Sequence, residues 1–157
     1  MESFFEWLQG LSIANWIATD ESIWSFPLIL FLHSVGMGLT AGVMFMICLR
    51  LVGVGRPLPV SSMRMLFRIF WAGFVLNAIT GSLLFAAHAT ITGNQPIYYA
   101  KLGLIAIGVA LTFPLQKFVD GDGSDGSIPA AVKGMAAVGL AVWVGVITTG
   151  RFIAYLQ

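Results

Sequence analysis

Phe31-Leu32-His33-Ser34-Val35-Gly36-Met37-Gly38-Leu39-Thr40-Ala41-Gly42 is the stretch whose reading decides the fold. It sets an ionisable imidazole inside an apolar run and follows it with small residues that let a large group come close. The run around it, residues 23–51, contains no acid and one base, Arg50. That is longer than the about 20 apolar residues a helix needs to cross a bilayer. Three more runs of this kind follow. In a chain of 157 residues, 58% hydrophobic and 10% charged, with a mean hydropathy of +0.90, almost nothing is left for a soluble domain. The expected fold is all-α: an integral membrane four-helix bundle forming one domain over residues 1–157.

The expected spans are 23–51, 62–90, 97–119 and 129–156. Gly53, Gly55 and Arg56-Pro57 stop the first, and Gly93-Asn94-Gln95-Pro96 makes a short turn after the second. Pro114 is expected to kink the inner end of the third, and Pro129 suits the first turn of the fourth. Ahead of them, residues 2–19 carry Phe4, Trp7, Leu8 and Leu11 on one stripe with Glu2 and Glu6 opposite. Too interrupted to span, this segment reads as one or two short amphipathic helices in the interface plane, with Trp7 and Trp16 at headgroup level. The start lacks the basic region of a secretory signal, so the first span is expected to stay in the mature protein.

Basic residues beside the spans set orientation. Arg50, Arg56, Arg64 and Arg68 flank the first connection and Lys117 and Lys133 the third, against Lys101 and Arg151 on the other side. The chain is therefore expected to lie N-out and C-out in a bacterial inner (plasma) membrane, with both termini periplasmic. A net charge of +1 offers nothing to nucleic acid, and a lone cysteine, Cys48, excludes an internal disulfide.

Only two histidines exist, His33 and His88. At about 1.5 Å per residue, His33 lies roughly 12 Å below the outer boundary and His88 roughly 6 Å below it, on consecutive antiparallel spans. Two facing imidazoles at similar depth are the donor set of a b-type haem, whose iron takes an axial nitrogen from each side. Gly36, Met37 and Thr40 follow His33 at helical spacing, and Asn77, Gly81 and Leu84 precede His88 on one face. Glycine there would let a flat ring approach. Lys101 and Arg151 lie at the outer level, where propionates would point.

The expected cofactor is thus haem b held as metal ligands by His33 and His88, with Gly36, Met37, Thr40, Asn77, Gly81, Lys101 and Arg151 around it. The expected function is membrane electron transfer, cytochrome b-like, and more accessory than enzymatic. One haem in the outer leaflet cannot carry electrons across the whole membrane, which implies quinol or quinone, a periplasmic redox protein or a larger membrane complex as partner. Against this stand plainer roles. Membrane histidines also hydrogen-bond neighbouring helices, the spacing of Ser34, Gly38 and Gly42 is an ordinary packing device, and Lys101 and Arg151 can snorkel. A cofactor-free accessory subunit, docking onto a larger complex or forming a homo-oligomer, is the second reading. A third is copper handling by Met37, Met44, Met46, Met63, Met65 and Cys48, soft donors suited to Cu(I). The Asp120–Ser127 loop misses the calcium-loop pattern, with Asp125 where glycine is required and Ala131 where glutamate is. All seven acids lie outside the apolar runs, so no catalytic triad can form around either histidine.

Trp24-Ser25-Phe26-Pro27-Leu28, His33-Ser34-Val35-Gly36, Leu49-Arg50-Leu51-Val52-Gly53, Trp71-Ala72-Gly73-Phe74, Thr80-Gly81, and Asn94-Gln95-Pro96 with Lys101-Leu102 together resemble a family of small bacterial inner-membrane proteins of unknown function. The likeness covers most of the chain up to the third span. It implies the membrane fold and gives weight to His33, and implies no activity. The family pattern has an acid before Leu-Arg; Cys48 stands there instead. A looser architectural likeness to b-type cytochrome and copper-resistance membrane domains concerns fold alone.

Overall fold

The computed structural model of the chain describes residues 2–54, 58–121 and 127–155. Arg56, Asp122, Asp125 and Leu156, which the sequence reading used, lie outside the described residues. Two short helices come first, α1 (Glu2–Gln9) and α2 (Ser12–Thr19). The turn after them is fastened by side chains: the Ser22 N–H donates to Asp20 Oδ1 at 2.6 Å, and Ser25 Oγ, fully buried, shares its one proton between the Asp20 and Ser22 carbonyls at 2.7 and 2.8 Å. This turn starts α3 (Phe26–Val52) three residues later than the hydropathy pattern put it, with Pro27 in the first turn, where its missing N–H costs nothing. Gly53 ends α3 at φ 122°, a conformation that suits glycine.

α3 is not uniform. Gly38–Gly42 form a π-helical segment between α-helical halves. A π turn closes its hydrogen bonds over one more residue than an α turn, which re-phases everything after it. The first half, Phe26–Met37, packs on α4 (Met63–Ala87), whereas the second half, Val43–Val52, packs on α7 (Ala130–Tyr155). A 3₁₀ turn, Val60–Ser62, leads into α4. α4 stops at Ala87, because His88 leaves the helical region at φ −131°, ψ 32°. After the one-turn α5 (Ala89–Thr92), α6 (Pro96–Asp120) runs through Pro114 and packs along α7.

The described residues are all helical apart from turns, and four helices, Phe26–Val52, Val60–Ala87, Pro96–Asp120 and Ala130–Ile153, are long and apolar enough to cross a membrane. The chain is a multi-pass membrane protein. The four long helices alternate in direction, which brings α1, α2 and the end of α7 to the same end of the bundle.

Close packing is concentrated away from that side. One buried cluster joins Met44, Ile47, Cys48 and Leu51 of α3, Phe67 and Phe70 of α4, Leu115 and Val119 of α6, and Ala136, Trp143 and Val146 of α7. Gly139 faces the Cys48 sulfur, where a Cβ would stand 3.2 Å away, and Gly108 seats the Trp143 indole. Nearer α1 and α2 the buried cluster is small, Ile17, Ile29 and Ala87, with Phe26, Leu83 and Leu84 against it. It belongs to α2, α3 and α4 only. At this end the bundle is two helix pairs, α3 on α4 and α6 on α7, joined by the Phe85–Tyr98 ring stack at 4.7 Å.

Candidate functional site

His33 projects from the first half of α3 toward α4. Its Nδ1 lies 3.1 Å from Thr80 Oγ1. Thr80 is 3% exposed, and its hydroxyl donates to the Leu76 carbonyl at 2.7 Å. A hydroxyl has one proton, so toward His33 it can only accept. The tautomer that satisfies this contact carries its proton on Nδ1 and donates it to Thr80. The main-chain carbonyl of Asn77 also reaches the ring. Below the ring is Gly81, whose absent Cβ would stand 3.0 Å from His33 Cε1. One turn further on, Gly36 lies against the Asn77 backbone, where a Cβ would come within 2.9 Å of the amide nitrogen. The close approach the two glycines permit is between α3 and α4 themselves. Thr40 is buried and donates to the Gly36 carbonyl at 2.7 Å, and Met37 is half-buried beside it.

Across from His33, on α6, stands Lys101. It is half-buried and close enough for its charge to act on the imidazole. Its ammonium lies over Gly150 of α7, where a Cβ would be 3.5 Å away. No acid is available inside the spans, and Lys101 forms no ion pair among the described residues. A cation so placed in a membrane interior needs an anion or a polar acceptor. Arg151, one residue beyond Gly150, is turned about 100° from that face; it is exposed, with its guanidinium 6.0 Å from the centre of the Tyr155 ring.

His88 does not join this group. Helical projection aligned it with Asn77, Gly81 and Leu84, but the helix ends one residue before it. The imidazole instead meets Phe26 edge-on at 5.7 Å. His33 is engaged with Thr80 and Gly81, about two turns earlier along α4. For a b-type haem the fit is one-sided: His33 presents a ring held by Thr80 and Lys101 a cation with no ion pair among the described residues, while His88 lies past the end of α4 against Phe26. The soft donors do not gather either. Met44 and Cys48 are fully buried, whereas Met46 and Met65 are 57% and 69% exposed. No group of three or more His, Cys, Asp or Glu side chains able to hold a metal occurs among the described residues.

No family model, curated protein or solved structure matches this chain. The site therefore rests on its own geometry. Two of its members were not among the expected site residues. Thr80 entered only through the Thr80-Gly81 resemblance, and Gly150 had no motif; each is recognisable only once α4 and α7 are placed beside His33 and Lys101.

Proposed function

We propose that this chain is a membrane electron-transfer protein that binds one haem b between its two helix pairs, where His33 Nε2 would hold the iron. The observation that carries the reading is the His33–Thr80 hydrogen bond. Ligating histidines characteristically donate their other ring N–H to an acceptor that fixes tautomer and orientation. Thr80 is such an acceptor, and it aims Nε2 away from α4. Lys101 supplies the positive charge that a propionate needs in a region without acids. Haem b, when bound, would supply one-electron transfer. His88 is not the second axial ligand in this reading.

The rest follows the same proposal. The exposed Phe4, Trp7 and Trp16 hold α1 and α2 in the interface plane. In this reading that end, with both termini, faces the periplasm across a bacterial inner membrane, which the basic flanks of the first and third connections favour. Electrons are exchanged there with quinol, with a periplasmic redox protein or with a larger complex.

The test is a reduced-minus-oxidised absorption spectrum of the full-length protein purified in mild detergent. A b-type spectrum lost in His33→Ala and retained in His88→Ala is expected. Loss in both would restore the bis-histidine arrangement. A colourless, well-folded preparation would sink the haem reading and leave the cofactor-free accessory subunit. That second reading is favoured by the way Gly36 and Gly81 are filled by protein groups, while Gly38 and Gly42 face open space.

A further inference from the structure

At the end of the bundle away from α1 and α2, a groove of about 650 Å³ opens between α4 and α6, lined by Trp71, Phe113, Gln116, Lys117, Asp120 and Gly121. Its wall is built rather than incidental. Trp71 Nε1 donates to Gln116 Oε1 at 3.0 Å, and the indole lies 5.4 Å from the Phe113 ring. Its floor is tied by Arg64, whose Nε and Nη2 donate to the Val119 and Asp120 carbonyls at 3.2 and 3.1 Å.

The groove lining holds one base, Lys117, and one acid, Asp120. Asp120 is already engaged: one carboxylate oxygen lies 4.0 Å from Arg64 Nε, and the other accepts from Gln116 Nε2 at 3.4 Å. Lys117 is exposed and forms no ion pair among the described residues. Arg68, beside the groove rather than in its lining, is exposed too, at i+4 from Arg64 and i−3 from Trp71, hence on the same face of α4. The order along the membrane normal is also specific. Lys117 sits about 5 Å from the end of α6, at headgroup level, and Phe113 lies about 6 Å deeper.

We infer that this groove is a binding site for one anionic phospholipid of the leaflet at that end, its phosphate held by Lys117 and Arg68 and an acyl chain laid along Trp71 and Phe113. A cationic rim above an aromatic wall between spanning helices matches the two halves of such a lipid. A free anion would use the rim and leave the wall without a role. The inference is independent of the haem reading, since the site lies at the opposite end of the bundle.

The test uses the full-length protein in mixed micelles holding equal amounts of phosphatidylglycerol and phosphatidylcholine of identical chains, with retained lipid counted by native mass spectrometry. Phosphatidylglycerol is expected to be retained at least fivefold over phosphatidylcholine, on the basis of the membrane-surface energy of one basic residue. Lys117→Gln and Arg68→Gln should each lower that preference about fivefold. Lys117→Arg should keep it, as should Lys133→Gln, a change at an exposed lysine on α7 that does not line the groove. No preference in the wild type would overturn the site. So would an equal loss in Lys133→Gln, which would mean diffuse attraction to the surface, or displacement of the lipid by millimolar inorganic phosphate, which would mean a free-anion site.

Discussion

The hydrogen bond between His33 and Thr80 is the contact on which the site turns, and Thr80→Val isolates it. Valine keeps the shape of threonine and removes the acceptor, leaving the His33 Nδ1–H facing an apolar wall. A buried donor left without a partner costs about 1–3 kcal/mol. Between membrane helices the measured worth of such bonds is smaller, about 0.6 kcal/mol on average and up to about 1.7. Here Thr80 is 3% exposed and His33 half-buried, which argues for the upper part of that range. The Asn77 carbonyl within reach of the ring offers a partial substitute and argues against its limit. The expected coupling is about 1 kcal/mol, roughly fivefold in the unfolding equilibrium. It is measured as a double-mutant cycle of wild type, Thr80→Val, His33→Ala and the double variant, by titrating with sodium dodecyl sulfate in mixed micelles and following tryptophan fluorescence. The cycle cancels the loss of the Thr80 bond to Leu76, which both arms share. Effects additive to within about 0.3 kcal/mol would refute the bond, and with it the assignment of the proton to Nδ1 and the orientation of Nε2.

Two further predictions use the same preparations. Gly36→Ala places a Cβ 2.9 Å from the Asn77 amide, a backbone atom that yields only if α3 and α4 separate, and it should cost about 1–3 kcal/mol. Gly38→Ala meets nothing within 4 Å and should stay within about 1 kcal/mol of wild type, on the stabilising side; an equal loss in both would mean that α3 turns a different face to α4. The third prediction concerns Asp20, in the turn before α3. Its carboxyl is held below the ordinary carboxylate range, first by the Ser22 backbone N–H, then by the Ser22 hydroxyl. A carboxylate with a lowered folded pKa contributes stability that is complete above its unfolded value, about 3.9, and is lost as pH falls through the lower, folded one. The melting temperature of wild type should therefore exceed that of Asp20→Asn at pH 5 and converge with it toward pH 2; a constant gap across that range would show that the carboxylate charge plays no part.

The membrane fold was legible because hydrophobic runs longer than a bilayer is thick have few other uses. The observed spans start or stop within about three residues of the expected bounds, and the difference arises where polar side chains intervene, as with Ser25 locking the Asp20–Ser25 turn. The site was legible in part. His33 and Lys101 announce themselves as ionisable groups in apolar runs, and depth arithmetic put His33 below the outer level of Lys101. Arg151 is at that level as well, yet the face it presents depends on the rotation of α7, which hydropathy does not encode. At His88 the local structure departs from the expected one: every projection assumed a helix continuous to residue 90, and one residue at φ −131° ends it at Ala87.

Composition and the spacing of apolar runs by themselves determined that this is a four-span helical membrane protein with one histidine deep in its first span, because the lipid environment acts on every residue of a span alike and leaves its mark in the average. What stands opposite that histidine was decided only by the tertiary structure. Whether Gly36 and Gly81 admit a ligand or a neighbouring helix, and whether Thr80 gives or accepts a proton, depends on how α3 is rotated against α4. That rotation is set by interlocking side chains and by the π-helical segment at Gly38–Gly42, contacts between residues far apart in the chain that no single stretch of it contains.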